Sequence, residues 1–126
     1  MMFLCILNSS SWGISLDIPI LQDGISMHDF EKTANIIAKN SSGPFNVTMD
    51  SQQDNRAYPI RFFLHVLKKE PEPYTNYSSI PTLFILIRTN KSLSQLNTWE
   101  YKAFGMLKQS KSWKISNTYS LYKVTK

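Results

Sequence analysis

Several features that would point to a particular chemistry are scarce or missing in this sequence. The chain has 126 residues and one cysteine, Cys5, so it cannot form an internal disulfide or a cysteine-based metal site. Two histidines and no cluster of carboxylates give no ligand set for a metal. Isolated glycines give no phosphate-binding loop, and no stretch approaches the roughly 20 apolar residues of a membrane span. The sequence therefore predicts no metal, no cofactor and no membrane-spanning segment.

Long runs of charge are also missing, although the chain is basic overall. The formal net charge is +5, with three basic and six acidic residues in 1–59 and eleven basic and three acidic residues in 60–126. No basic run is longer than Lys68-Lys69. The cationic half is typical of a solvated sheet face. The alternative is a module for nucleic acid or anionic glycans, whose lysines would converge on one face: Lys102, Lys108, Lys111, Lys114 and Lys123.

Composition and length predict one folded domain. Hydrophobic residues make up 42% of the chain and aromatic residues 13%, which is enough apolar material for a core. Residues 1–24 form an N-terminal arm, and residues 25–126 form the domain. The arm begins with the apolar stretch MMFLCIL but lacks the basic start of a signal peptide. It is either a degraded signal or a hairpin, and the sequence does not decide between them.

A change of hydrophobic period near Gly43 gives the fold class. Ser26 and Asp29 predict a capped helix over residues 26–39, ended by Asn40 to Pro44. Its apolar face carries Met27, Phe30, Ala34, Ile37 and Ala38. After Gly43, apolar and polar residues alternate, which predicts strands at 44–50, 57–67, 82–89, 97–108 and 112–124. Residues 68–81 are a loop, 109–111 the last turn, and a bulge is expected near Asn117. We predict an α+β fold in which one amphipathic helix packs on a curved antiparallel sheet of about five strands.

Two segments resemble the NTF2-like (cystatin-like cone) superfamily. The tail from Leu107 to Ile115 is similar to a closing hairpin in which a polar turn leads into Trp-Lys-Ile, and Asp29 to Ala34 reads D-F-x-K-x-A. Within the superfamily, small secreted nematode domains of unknown function are the most similar. The resemblance covers about residues 20–124 and implies a cone-shaped sheet around a pocket. The usual N-terminal helices that close the cone have no counterpart in residues 1–24.

The predicted function is a non-catalytic binding or structural domain that uses the concave face of the sheet. The ligand is not identified by the sequence; an apolar small molecule, a protein partner and a homodimer through the sheet all stay open. A second alternative is an isomerase or hydrolyase with His65 as its base, as in enzymes of the resembling superfamily. The residues expected on the binding face are Phe62, Leu64, His65, Ile85, Trp99 and Tyr101, next to the loop from Tyr74 to Ser79.

Asparagine usage favours a secretory route. Five of the nine asparagines lie in N-x-[ST] sequons, an excess over chance for this composition. One of the five, Asn46, falls within a predicted strand. The glycosylation sites expected from this pattern are Asn40, Asn76 and Asn90. We therefore predict a secreted protein, with a cytoplasmic location as the alternative.

Overall fold

The protein has an α+β architecture with one mixed sheet. The computed structural model describes residues 25–50, 56–96, 99–105 and 108–126. The prediction for the N-terminal arm, residues 1–24, lies outside these ranges. The elements in chain order are α1 (Met27–Asn40), β1 (Phe45–Met49), α2 (Tyr58–Val66), β2 (Thr82–Arg88), a short 3₁₀ helix (Leu93–Gln95), α3 (Trp99–Phe104), β3 (Lys108–Lys114) and β4 (Tyr119–Thr125).

The first helix forms as the sequence predicts. The Asp29 amide donates to Ser26 Oγ (3.2 Å), and the Ser26 amide donates to Asp29 Oδ2 (3.0 Å), which completes a capping box. Phe30, Ala34 and Ile37 are buried on the apolar face. The predicted helix and its packing face are confirmed.

The sheet differs from the predicted one in strand number and direction. The described residues contain four strands in the order β1-β2-β4-β3, where β1 and β2 are parallel and the other pairs are antiparallel. A tight turn cannot join two parallel neighbours, because the chain must first return to the end of the sheet at which the first strand began. The crossover between β1 and β2 contains α2.

The predicted strand at 57–67 is wrong, because this segment is α2. Its apolar residues fall on every second position from Tyr58 to Val66, which is the strand period. In a helix the same residues divide into two sets with a spacing of four. One set, Ile60 and Leu64, is buried, whereas Tyr58, Phe62 and Val66 lie on the other side and are exposed.

The predicted C-terminal elements also need correction. The expected strand at 97–108 contains α3 (Trp99–Phe104), and β3 begins at Lys108. The expected turn at 109–111 lies inside β3, where the ladder with β4 shifts register between Gln109 and Lys111. The chain reverses instead at residues 115–118, so the irregularity predicted near Asn117 is the turn itself.

Both faces of the central strand β2 are buried. Phe84 and Leu86 belong to a core beneath α1 and α2, whereas Leu83, Ile85 and Ile87 belong to a second core on the opposite face. The second core is completed by residues from α3, β4 and the preceding loops: Tyr77, Ile80, Leu96, Phe104 and Val124. Helices and loops therefore cover the sheet on both sides, and apolar side chains fill the space where a concave binding face was expected.

Candidate functional site

Among the described residues, the large apolar side chains that are exposed cluster on and beside α2. Tyr58, Phe62 and Val66 follow one another at a spacing of four residues and are 49%, 58% and 60% exposed. We call these three residues the α2 ridge. Leu67 and Tyr74 flank the ridge and are 42% and 38% exposed. Singly scattered surface apolar residues are ordinary, but a contiguous patch is typical of an interaction site.

The opposite side of α2 holds the helix on the sheet. Ala57, Ile60 and Leu64 have no exposed surface and belong to the core shared with α1 and β1. Pro59 lies in the first turn of α2, where backbone amides have no partner within the helix, so that its missing amide hydrogen costs no hydrogen bond. The inner side therefore anchors the helix, whereas the α2 ridge makes lesser contacts, among them that of the Phe62 ring with the Phe63 ring.

The C-terminus of α2 is closed by a Schellman motif. The Lys69 amide donates to the Leu64 carbonyl (2.9 Å), and the Lys68 amide donates to the His65 carbonyl (3.0 Å). Lys68 takes the left-handed conformation that this motif requires, with φ of 59°. The end of the ridge is thus fixed by backbone hydrogen bonds.

Arg61 locks α2 to the edge of the sheet and to the following loop. Its Nη2 donates to Asn46 Oδ1 (2.6 Å), to the Val47 carbonyl (3.0 Å) and to Tyr77 Oη (2.9 Å). Its Nη1 donates to the Glu72 carbonyl (2.8 Å) and its Nε to the Arg56 carbonyl (2.6 Å).

Two buried polar side chains extend this network. The Asn46 side chain is fully buried and donates to the Pro73 and Asn76 carbonyls at 2.9 and 2.8 Å. The Tyr77 hydroxyl donates to the Val47 carbonyl (3.0 Å). The loop over residues 72–77 therefore covers the free edge of β1, and α2 is held in a fixed position.

Aromatic and cationic groups extend the ridge at its N-terminal end. The Tyr58 and Tyr74 rings meet edge to face with centroids 6.2 Å apart, and the Arg56 guanidinium lies 4.3 Å from the centre of the Tyr74 ring. Arg56 Nη1 also donates to Tyr58 Oη (3.1 Å), and this hydrogen bond raises the pKa of Arg56 above its ordinary value. The charge at this end of the ridge is therefore permanent.

The cavities near the ridge are small or open. A cavity of about 80 Å³ lies between α1 and α2 and is lined by Glu31, Asn35, Phe63, Val66 and Leu67. This volume is well below the roughly 300 Å³ at which small-molecule sites begin. A groove of about 400 Å³ follows the outer side of α1, and its described lining residues, including His28 and Lys39, all belong to that helix.

The six residues predicted to form one binding face are not brought together. Phe62 lies on the α2 ridge, and Leu64 is buried on the inner side of the same helix. Ile85 and Tyr101 belong to the second core on the far side of the sheet, and Trp99 lies in α3. Only Phe62 among them contributes to the α2 ridge. The signal for this ridge in the sequence was the spacing of four residues between its apolar side chains, which is typical of one face of a helix.

His65 lies at the surface. Its side chain is 74% exposed and contacts Glu70, whose side chain is 60% exposed. His65 is not among the residues lining the α1–α2 cavity. The exposed side chain therefore does not lie in the pocket that the isomerase or hydrolyase alternative expects around this residue.

The lysines proposed for polyanion binding lie on different elements. Lys102 is exposed on α3, and Lys108, Lys111 and Lys114 are exposed on β3. Lys123 instead donates to the Asn40 carbonyl at the C-terminal end of α1 (2.9 Å).

Within the described residues, no group of three or more potential metal ligands is present, and no helix is long and apolar enough to cross a membrane.

No family model matches the chain, and no significant match was found among curated proteins or solved structures. The resemblance to NTF2-like proteins therefore stays a prediction. Of the strands predicted for the curved sheet, those at 57–67 and 97–108 contain α2 and α3 instead.

Proposed function

We propose that this domain is a non-catalytic protein-binding module whose contact surface is the α2 ridge with its neighbours Leu67 and Tyr74. The observation that carries the proposal is the contiguous exposure of Tyr58, Phe62 and Val66 on a helix that is anchored by its other side. An exposed helix face of this kind is typical of helix-mediated protein recognition.

The size of the surface supports a role in binding. Three aromatic side chains, Tyr58, Phe62 and Tyr74, are 38–58% exposed. A buried aromatic side chain covers about 150–250 Å², so these three leave on the order of 300 Å² of aromatic surface in water. Patches of roughly 300–600 Å² are the largest on typical monomers and are often functional.

The fixed position of the surface also supports binding. Five hydrogen bonds from Arg61 and the Schellman motif hold α2 in place before any partner arrives. Preorganisation lowers the entropy that binding must offset. Aromatic residues with an adjacent arginine are also the residue types most often found at the energetic centre of protein interfaces.

The proposal is tested by comparing the two sides of α2. We expect the double variant Phe62→Ser/Val66→Ser to lower the free energy of unfolding by about 1 kcal/mol, because both side chains are more than half exposed. The control, Leu64→Ala, opens a cavity in the core and should cost about 2–5 kcal/mol. The fluorescent apolar dye ANS should bind the folded wild-type protein and should bind the double variant much less. A double variant as unstable as Leu64→Ala, or one with undiminished dye binding, would show that the ridge is not an exposed binding surface.

We also propose that the protein passes through the secretory route, as its sequon content suggests. Asn90 is exposed in the turn after β2, whereas Asn40 and Asn76 are partly buried and donate to the Ile36 carbonyl and to Glu72 Oε1. Asn46 is fully buried, and a glycan there is incompatible with the fold. Mass spectrometry of protein from a secreting eukaryotic host should find a glycan at Asn90 and none at Asn46; an unmodified Asn90 would count against secretion.

A further inference from the structure

We infer that the edge of β3 binds an extended acidic segment of another protein, which adds to the sheet as a further strand antiparallel to β3. Within the described residues, β3 is the last strand of the sheet and pairs only with β4. Six of its seven residues are exposed, and Trp113 is half-buried. Arg61 ties α2 to β1 at the other edge of the sheet, so this inference is independent of the α2 ridge and goes beyond the proposed function.

The hairpin with β4 determines which backbone groups of β3 point outwards. The Ile115 amide donates to the Tyr119 carbonyl (3.0 Å). From there the ladder runs back from Lys114 to Ser112 without a register shift. Antiparallel pairs alternate between residues that exchange hydrogen bonds with their partner and residues that do not. Trp113 therefore bonds to β4, whereas the amides and carbonyls of Ser112 and Lys114 face away from β4, towards the edge at which a further strand adds.

The side chains along this edge determine the charge of the partner. Lys108, Lys111 and Lys114 are exposed, and no ion pair between described residues involves them. After Glu100 the chain contains six lysines and no aspartate or glutamate. Like charges on neighbouring strands repel, whereas opposite charges attract. The edge therefore disfavours a second copy of β3 and favours a strand that carries carboxylates.

The pleat of β3 determines the spacing of those carboxylates. Trp113 packs against the core beneath α1 and α2, and Lys111 shares its face because side chains two residues apart point the same way. Ser112 and Lys114 point to the other face. An antiparallel strand then places one carboxylate opposite Lys114, an apolar side chain opposite Trp113 and a second carboxylate opposite Lys111. The expected order along the segment is acidic, apolar, any residue, acidic.

The synthetic peptide Thr-Glu-Val-Thr-Glu-Thr, with an N-terminal fluorescein and an amidated C-terminus, has this order. Fluorescence anisotropy of the peptide measures its binding to the full chain. We expect saturable binding that weakens several-fold when sodium chloride is raised from about 50 mM to about 500 mM. In NMR spectra of the complex, the outward amides of Ser112 and Lys114 should gain protection from hydrogen exchange. No saturation up to about 1 mM protein, or no protection of these two amides, overturns the inference.

Two altered peptides separate strand addition from attraction between charges. Methylating the amide nitrogens of the first glutamate and of the threonine after valine keeps both carboxylates but removes the hydrogens that point at Lys114 and Ser112. This peptide should not bind saturably, and binding equal to that of the parent would assign the effect to charge alone and overturn strand addition. Exchanging valine with the threonine that follows it moves the apolar side chain away from Trp113. That exchange should weaken binding, and an unchanged affinity overturns the proposed register.

Variants of the protein test the contribution of the lysines. Lys111→Gln and Lys114→Gln each remove one cross-strand ion pair and should weaken binding about two- to five-fold, as expected for an exposed pair. Lys68→Gln is the matched control, because it removes the same charge from the exposed end of α2 and should bind like the wild type. An equal loss in Lys68→Gln overturns the assignment to β3. Peptide binding and dye binding use different surfaces, so either proposal can fail while the other stands.

Discussion

Arg61 is the residue on which the geometry of the α2 surface most depends. Its guanidinium is hydrogen-bonded to acceptors from β1, from Arg56 shortly before α2 and from the loop that follows α2. A guanidinium has five N–H donors in a fixed planar fork, and no other side chain can reach such a dispersed set. In the sequence Arg61 is one polar residue in an apolar run, and nothing local identifies its partners at Asn46 and Tyr77.

We predict that Arg61→Lys destabilises the protein by about 2–4 kcal/mol. A lysine has the same charge but three donors on one atom, so several buried acceptors would lose their partner at about 1–3 kcal/mol each. Urea denaturation followed by circular dichroism gives the free energy of unfolding. The matched control is Arg56→Lys, which keeps the backbone carbonyl that accepts from Arg61 and should leave the midpoint nearly unchanged. Equal effects of the two substitutions would show that the Arg61 network contributes nothing specific.

At the scale of elements, the sequence identifies the helices and strands whose hydrophobic pattern fits only one kind of secondary structure. The α1 helix has a capping box and an unambiguous helical period, β1 alternates apolar and polar residues, and β2 is a short apolar segment. The segment Tyr58–Val66 fits both periods, because side chains at every second position also lie four apart. The choice depends on the parallel pairing of β1 with β2, which requires a crossover. That pairing is a long-range property that no local pattern contains, so the spacing alone could not decide between a strand and a helix with an exposed ridge.

Lys68 provides a test of how α2 ends. Its φ of 59° costs a non-glycine residue roughly 1–2 kcal/mol, whereas glycine adopts it freely. After the greater unfolded-state entropy of glycine is subtracted, Lys68→Gly should raise the free energy of unfolding by up to about 1 kcal/mol. Lys69→Gly is the control, because the backbone of Lys69 is not left-handed. This substitution should lower the free energy of unfolding by about 0.5–1 kcal/mol. A Lys68→Gly variant that loses as much as Lys69→Gly would contradict the Schellman assignment.

The packing of α3 predicts a specific dependence of stability on pH. Tyr101 lies against the second core, and burial raises the pKa of its hydroxyl above the ordinary value of 10.0. Above pH 10 the unfolded chain loses this proton more readily than the folded one, so stability falls as the pH rises towards the raised pKa. Urea midpoints at pH 8–11 should therefore decline less steeply for Tyr101→Phe than for the wild type. Parallel curves would show that α3 does not desolvate the hydroxyl.

At the scale of the whole molecule, the two edges of the sheet are protected differently. The edge of β1 is covered by the loop after α2, where the Glu72 amide donates to the Phe45 carbonyl (2.9 Å). The edge of β3 has no such cover in the described residues, and all of its residues except the half-buried Trp113 are exposed. Lysines on an open edge discourage pairing with further strands. The homodimer through the sheet that the sequence suggested stays a prediction, and the lysines of β3 oppose it.

This interpretation of the β3 edge predicts the effect of removing its charges. The triple variant Lys108→Gln/Lys111→Gln/Lys114→Gln keeps the strand polar but leaves an uncharged row of free backbone groups, which is a template for strand addition. We expect it to form β-rich assemblies whose light scattering and thioflavin fluorescence grow with protein concentration. Neutralising three exposed lysines elsewhere (Lys39→Gln/Lys68→Gln/Lys102→Gln) lowers the net charge equally but leaves β3 intact, so that variant should stay dispersed. Assembly of both variants would assign the effect to net charge alone, whereas assembly of the β3 variant alone would identify the lysines as the protection of this edge.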